Sequence, residues 1–284
     1  MELPLFKIRA HNAIEILGNI ETITPKQLEQ LDALQKKEKR TEKQEQALQE
    51  LIAKRDAKPE LSAGAKAHCE LWLKQVLYKR KREFSSKYTE KGIECEQEAI
   101  DMVSERMGYG MVFKNTKRVS DEYMEGEADL VLTDIIEEIK NSWDFQTFPL
   151  FATAIPEKKY EIQNKIYMHL YEKPKGAVNY VLIDTPEHII DREAKIQSLK
   201  AGFSEVDMEL YDEVHAKLTY SDIPKELRIK RFELEPDPKL IEQIKERVVL
   251  CREYIAELYS SIMNNSLTIH EQINGANLTV FEKV

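Results

Sequence analysis

Between residues 94 and 183 the sequence alternates helical and strand-like segments in a fixed order, and this order constrains the fold more than any other feature. Ala99, Val103 and Met107 recur at helical spacing, whereas later segments are short apolar runs of strand length. The predicted elements are a helix at 94–107, strands at 111–113, 127–132 and 135–140, a helix at 157–172 and a strand at 178–183. The α-β-β-β-α-β order predicts an α/β (α+β) fold with a central mixed β-sheet flanked by helices.

The regions on either side of this core are mostly helical in pattern. Thr24-Pro25 and the pair Thr41 and Gln44 are helix-start signals, which predict a charged helical hairpin over 25–57. Ser62 starts a longer helix, to about residue 84. We further predict helices near 187–200 and 204–217, a strand at 227–234 and a helix at 238–262. The expected domains are an N-terminal region, 1–60, and a domain at 61–284 with its core at 91–184 and a C-terminal helical extension.

Composition and local patterning argue against several classes of protein. No apolar run in the 284 residues approaches the ~20 needed to span a bilayer, so no membrane partner is expected. The first residues lack a signal-peptide layout, and Cys69, Cys95 and Cys251 are too widely spaced for a disulfide framework or a CxxC metal site. We therefore expect a reducing cytoplasm as the location of the protein. No Walker-type phosphate loop occurs, so ATP is not expected.

The net charge of −9 argues against a nucleic-acid partner, but only as an average. Residues 92–140 hold thirteen acids and five bases, whereas 61–91 have a net charge of +5 and 158–175 of +3. The acidity is thus concentrated between two cationic stretches. Because basic flanks attract phosphates and a central cation would offset the carboxylates, this distribution favours DNA as a partner.

A predicted hairpin brings two acids together. If its turn is centred between Thr133 and Asp134, then Asp129 lies opposite Glu138. Side chains alternate along a strand, so Glu138 and Lys140 share a face. Like charges directly opposed on a sheet are unfavourable unless a cation lies between them. A structural ion pair is the alternative interpretation, because such combinations arise easily in a chain that is 33% charged.

Glu96 adds a third carboxylate from the apolar face of the preceding helix. The predicted metal ligands contain oxygen only: Glu96, Asp129, Glu138 and the main-chain carbonyl of Ile139. Such a set suits Mg²⁺, with Mn²⁺ as a substitute, rather than zinc. Lys140 beside the metal can orient an attacking water and help to deprotonate it.

Four short motifs occur in order: G-x3-E-x2-A at 92–99, G-x-x-D at 126–129, E-x-K at 138–140 and Q-x3-Y at 163–167. Together they resemble the PD-(D/E)XK nuclease superfamily, and more narrowly the lambda-exonuclease/YqaJ-like phage recombination nucleases. That resemblance implies a restriction-endonuclease-like core. Ala128 stands where the family motif has proline, and the four cysteines of the iron–sulfur branch are missing, so no iron–sulfur cluster is expected.

The resemblance also assigns roles in phosphodiester hydrolysis. Asp129 and Glu138 would hold the metal, and Glu96 would complete its site. Lys140 would position or activate water. Gln163 would hold the active-site lysine or the DNA backbone in place.

Further residues are expected to bind DNA. By resemblance, Tyr167 would contact DNA or brace its helix, and Ser62, at a helix start, would be the counterpart of the family's site for a terminal 5′-phosphate. The basic stretch adds Lys79, Arg80, Arg82 and Lys87. The resemblance implies three partners: double-stranded DNA ends, a single-strand annealing protein and further copies of the chain, which would form a trimer around DNA. If a phage encodes the protein, the expected cytoplasm is that of its bacterial host.

The leading hypothesis is a Mg²⁺-dependent 5′-to-3′ exonuclease that leaves single-stranded tails for recombination by strand annealing. An endonuclease of the same superfamily, restriction-like or a junction resolvase, is one alternative. A non-catalytic adaptor that binds DNA or protein, with the 25–57 hairpin recruiting partners, is the other.

Overall fold

The computed structural model describes residues 3–18, 23–56, 60–81 and 86–281. In chain order its elements are β1 (Ile8–Arg9), a 3-10 turn (Ala10–Asn12), α1 (Ala13–Ile16), α2 (Pro25–Gln35), α3 (Glu42–Asp56), α4 (Ala63–Tyr78), α5 (Lys87–Glu94), α6 (Glu96–Met107), β2 (Val119–Ser120), β3 (Met124–Gly126), β4 (Leu130–Val131), β5 (Ile135–Asn141), α7 (Lys158–Leu170), β6 (Lys175–Val181), α8 (Glu187–Lys200), α9 (Met208–Leu218), a second 3-10 turn (Lys225–Leu227), β7 (Ile229–Leu234) and α10 (Pro238–Phe281).

The chain forms two compact units. The first contains Met1–Phe6, Glu15–Arg80 and Glu246–Val284, and the second contains Lys7–Ile14 and Lys81–Lys245. Each unit joins segments that are distant in the sequence, so neither corresponds to a single stretch such as 1–60 or 61–284. In the described part of the chain none of the helices combines the length and apolarity that a membrane span needs.

The first unit contains the predicted helical hairpin. The Thr24 hydroxyl accepts from the Gln27 N–H at 3.3 Å, and Gln27 Oε1 accepts from the Thr24 N–H at 3.0 Å, so the start of α2 is a capping box. Leucines of α2 and α3 form a shared core. The helix that Ser62 starts ends at Tyr78 rather than near residue 84, because Lys79 adopts a left-handed conformation with φ of 51°.

The second unit is built on a mixed four-stranded sheet, as predicted, in the order β4-β5-β6-β7. β5 and β6 run parallel, and the other two pairs are antiparallel. A smaller sheet has the order β1-β3-β2. Ala99 and Val103 of α6 pack against Ile139 on one face of the large sheet. Phe148, from the segment that joins β5 to α7, packs against Tyr180 on the other face.

Several predicted boundaries differ from the structure. The strand expected at 111–113 is wrong: Met111 and Phe113 are 87% and 72% exposed, and no strand is assigned there. The strand expected at 127–132 is shorter, because the Asp129 carbonyl accepts the N–H of Asn115 and only Leu130–Val131 pairs with β5. The helix at 94–107 is interrupted at Cys95, while α10 continues well beyond residue 262.

Candidate active site

The hairpin of β4 and β5 has the predicted register. Leu130 pairs with Glu137, and Val131 pairs with Ile136. One more step along this register places Asp129 beside Glu138. The Asp129 Oδ2 atom accepts the main-chain N–H of Ile139 at 2.7 Å, which fixes its carboxylate against β5.

Glu138 and Lys140 project from the same face of β5, as strand alternation requires. The Lys140 Nζ atom donates to Glu138 Oε1 at 2.5 Å. The same ammonium lies 4.7 Å from the centre of the Tyr160 ring on α7. Ile139, between them in sequence, is buried on the opposite face. The strand therefore separates a polar site from an apolar core.

The Q-x3-Y motif on α7 is joined directly to this site. Gln163 Nε2 donates to Glu138 Oε1 at 2.9 Å and to the Tyr167 hydroxyl at 2.9 Å. Gln163 and Tyr167 are 7% and 3% exposed, so this hydrogen-bonded pair is buried. A contact of Tyr167 with DNA stays a prediction.

Gly126 on β3 makes room for this arrangement. A Cβ atom at position 126 would lie 2.4 Å from Cε1 of the Tyr167 ring. Real Cβ atoms do not approach other heavy atoms so closely, so any side chain here must displace the ring. The close approach of the two backbones therefore explains the glycine of the G-x-x-D motif.

The carboxylates of the site repel each other in a poorly solvated environment. Burial raises the pKa of Glu138 to about 7, and the charge of Asp129 adds to the rise. Burial likewise raises the pKa of Asp129. Burial alone would lower the pKa of Lys140, but the charges of Glu138 and Asp129 outweigh it and the pKa is raised. One ammonium thus faces two acids, of which Glu138 is buried and Asp129 partly buried, and an additional cation would stabilise both.

The donor set of this site fits a hard divalent cation. Glu138 Oε2 is buried and accepts no hydrogen bond from the described residues, and such an oxygen is costly unless a cation or water completes it. Asp129 adds a second hard oxygen donor. Glu96 is close enough for its charge to influence the pKa of Asp129, but it pairs with Lys114, whose Nζ lies 2.8 Å from Glu96 Oε2. Ligation by the carbonyl of Ile139 stays a prediction.

The structure does not draw the three predicted carboxylates into one tight cluster. Among the described residues, the group of potential ligand atoms within 4.8 Å of one another is that of Glu90, Glu94 and His188. This group is at the surface, and Arg192 donates two hydrogen bonds to Glu90. The arginine already neutralises the carboxylate that a metal would need there.

The predicted DNA contacts are distributed over both units. In the first unit, the Ser62 hydroxyl caps α4 by accepting the N–H of Ala65 at 3.2 Å. Lys79 and Arg80 follow the end of α4 and are exposed. Arg82 lies outside the described residues. The assignment of these side chains to DNA binding remains a prediction.

Two lysines of α5 hold the start of the β5–α7 segment. Lys87 ion-pairs with Glu193 at 2.6 Å and lies 4.7 Å from the centre of the Trp143 ring. Lys91 is 1% exposed, and its Nζ donates to the Trp143 carbonyl at 2.9 Å. Burial lowers the pKa of Lys91 to about 8. Lys91 preceded a predicted motif in the sequence, but nothing there indicated its burial.

A second buried charged residue, Glu137, belongs to none of the sequence motifs. Glu137 lies beneath the site on the other face of β5 and is fully buried. Its carboxylate accepts from the Tyr109 hydroxyl at 2.5 Å, from Asn179 Nδ2 at 2.7 Å and from Arg231 Nη1 at 2.5 Å. An acid inside a buried strand signals a partner, but the sequence does not identify an arginine two strands away.

Comparisons with known proteins support a nuclease fold. The structure matches a phage-related exonuclease from Haemophilus somnus 129PT with a TM-score of 0.63 and 25% identity, covering 91% of this chain and 97% of that one. It also matches two structures of an alkaline exonuclease from Laribacter hongkongensis, one of them in complex with dAMP, with a TM-score of 0.53 in both. There the identity is 13% and 14%, covering 94% of this chain and 95% of the other.

No protein-family model and no curated protein matches the sequence. The structural matches nevertheless confirm the resemblance to PD-(D/E)XK exonucleases, and they extend over nearly the whole chain rather than the motif region alone. They support a nuclease of the exonuclease type.

Proposed function

We propose that this chain is a Mg²⁺-dependent exodeoxyribonuclease that degrades double-stranded DNA from its ends in the 5′-to-3′ direction. The observation that carries the proposal is the pair of partly buried Asp129 and fully buried Glu138, with one Glu138 oxygen unpaired and Lys140 beside it, in a chain with an exonuclease fold. Asp129 and Glu138 would hold the metal ion, with Glu96 and the carbonyl of Ile139 as further ligands.

When bound, the metal supplies Lewis-acid stabilisation of the charge that develops on the phosphate. The protein supplies the geometry. Ile139 fixes Asp129 through its N–H, and Gln163 fixes Glu138 through its amide. Lys140 carries an ammonium on the same face, where it can donate a hydrogen bond to an attacking water and offset negative charge on the scissile phosphate.

The experiment is a time course on linear duplex DNA labelled at either the 5′ or the 3′ end, with Mg²⁺ or Mn²⁺. Wild type should release the 5′ label first as mononucleotide, and Asp129→Ala and Glu138→Ala should each lower the rate at least a hundredfold. Asp134→Ala is the matched control, because Asp134 belongs to the same hairpin but its side chain is 61% exposed at the turn.

Equal rates in wild type and the two site variants would contradict the proposed catalytic roles. A closed circular duplex in the same series separates the endonuclease alternative, since an obligate exonuclease leaves it intact. Release of the 3′ label first would contradict the proposed direction.

We also propose, from the family resemblance, that the chain acts in the cytoplasm as a homo-oligomer, a trimer around DNA, and passes its single-stranded product to an annealing protein. A closed ring would let an acidic protein turn its basic stretches towards the DNA. Sedimentation equilibrium of the purified chain tests the assembly: a strict monomer at micromolar concentration contradicts it.

A further inference from the structure

The segment between β5 and α7 contains twelve consecutive residues, 145–156, that carry no charge. One residue in three is charged over the whole sequence, and the acidic stretch 92–140 precedes the segment almost directly. We call residues 145–156 the apolar loop. It begins four residues after the β5 strand that carries Glu138 and Lys140 has ended.

The apolar loop is well ordered by its own hydrogen bonds. The Thr147 N–H donates to Asp144 Oδ1 at 2.9 Å, and the Phe148 N–H donates to the Asp144 carbonyl at 3.1 Å. The N–H of Ala152 donates to the Pro149 carbonyl at 3.1 Å. A loop fixed in this way can present side chains to a ligand without a large entropic cost on binding.

One side of the apolar loop is packed onto the face of the sheet that carries the candidate site. Phe148 is buried against Tyr180 and Phe232, and Ile155 and Tyr160 pack against the same cluster. The Tyr160 ring also contacts the Lys140 ammonium. The loop and the catalytic lysine therefore share a continuous layer of side chains.

The other side of the loop exposes large apolar side chains. Phe151 is 91% exposed, Phe145 is 56% exposed and Leu150 is 38% exposed. Hydration of such surface is unfavourable, and ordered loops that keep it outside commonly bind something there. Packing against the described residues does not account for Phe151.

We propose that Phe145 and Phe151 form a stacking surface for unpaired bases of the DNA end that is held at the candidate active site. This inference rests on the proposed nuclease function and adds the part of the substrate that the site recognises. Every base has an aromatic face, so stacking on phenylalanine binds single strands with little sequence preference.

Charge complementarity favours nucleic acid as the occupant over another protein surface. The apolar loop itself contains no acid; Asp144 precedes it, and Glu157, which follows it, is ion-paired with Lys159 at 2.5 Å, so Lys158 at the start of α7 is the cation left to attract a phosphate there. Lys158 is exposed. A neutral aromatic surface with an exposed lysine close to its end matches the bases and phosphates of a single strand.

The test measures binding without hydrolysis. The probe is a DNA hairpin with a fluorophore in its closed loop, so that one free end remains, and this end carries a tail of four unpaired nucleotides. Fluorescence anisotropy in the presence of a metal chelator gives its Kd for the full chain. We expect Phe151→Ala to raise Kd about tenfold, within the range known for loss of one base stack, and Phe151→Trp to restore binding.

A thermodynamic cycle identifies the base as the partner. Each tail nucleotide is replaced in turn by an abasic one. Once the stacked base is absent, Phe151→Ala should cause no further increase in Kd. Phe203→Ala is the matched control, since Phe203 is a 48% exposed phenylalanine on the turn between α8 and α9. Because Phe151 is almost fully exposed, its truncation should leave thermal unfolding unchanged.

Three results would overturn the inference. The first is an equal Kd for the Phe151 and Phe203 variants, and the second is a Phe151→Ala effect that persists with every abasic tail. The third is a change in sedimentation with no change in Kd, which would assign the loop to contacts between copies of the chain. Because no hydrolysis is measured, the two proposals can fail separately: base-dependent binding by a chain that cleaves no DNA would refute the nuclease proposal and would support only the stacking of bases on the loop.

Discussion

Lys91 gives a prediction in which stability depends on pH. Its ammonium is 1% exposed and has a single described acceptor, the Trp143 carbonyl. Burial lowers its pKa from 10.5 to about 8, and this difference corresponds to roughly 3 kcal/mol of unfavourable interaction with the charged form. Replacing Lys91 by methionine keeps the length of the side chain and removes the charge.

The direction of the pH effect follows from proton counting. Between about pH 8 and about pH 10.5 the unfolded chain keeps a proton on Lys91 that the folded protein has lost, so the free energy of unfolding of wild type rises with pH in this window. Lys91→Met lacks this gain. The difference between wild type and Lys91→Met should therefore move by about 2 to 3 kcal/mol in favour of wild type between about pH 7 and about pH 10.

Neighbouring titratable groups do not change their charge in the folded protein within this pH window. Burial raises the pKa of Cys95 to about 11 and that of Tyr220 to about 12, so neither titrates below pH 10 to an extent that would obscure the effect. Loss of the hydrogen bond to the Trp143 carbonyl changes the stability of Lys91→Met by a similar amount at every pH. It therefore does not contribute to the change with pH of the stability difference between the two proteins.

Urea unfolding at a series of pH values measures the difference. The chain has two tryptophans, so both proteins are made in a Trp72→Phe background and fluorescence then reports on Trp143, which Lys91 contacts. A stability difference that stays constant from about pH 7 to about pH 10 refutes the reasoning, because it would mean that Lys91 titrates normally in the folded protein.

Two further substitutions test the surroundings of the site. Gly126→Ala should push the Tyr167 ring away, which should lower the free energy of unfolding by about 1 to 3 kcal/mol and slow hydrolysis by disturbing Gln163. Thermal unfolding measures the first effect and nuclease rates measure the second. Unchanged values in both assays would contradict the close contact. Arg231→Met should leave Glu137 as an unpaired buried charge and cost about 3 to 5 kcal/mol in urea unfolding, and a loss below about 1 kcal/mol would show that other groups neutralise this acid.

The parts of the site that the sequence predicted are those set by short-range geometry. Strand alternation placed Glu138 and Lys140 on one face, and the turn position predicted the register that the hairpin has. Helical spacing likewise placed Gln163 and Tyr167 on one face of α7, where they are hydrogen-bonded. Such patterns repeat every two to four residues and can be counted directly.

Contacts between distant segments were not predictable in this way. Glu137 and Arg231 are 94 residues apart, and no periodicity links them. The pairing of Lys114 with Glu96 arises from a segment that was expected to follow a strand, whereas the structure has an irregular chain there. The apolar residues Met111 and Phe113 suggested that strand, but no neighbouring strand offers hydrogen bonds to it within the described part of the sheet.

The contact between Gly126 and the Tyr167 ring also has an evolutionary consequence. Position 126 belongs to the small sheet and position 167 to a helix on the large one, yet the two share a single volume. A residue larger than glycine could be tolerated at position 126 only after Tyr167 had been replaced by a smaller residue. The protein that carries only this first substitution would lack the hydrogen bond between Tyr167 and Gln163. Residues 41 positions apart in the sequence should therefore change together among homologues or not at all.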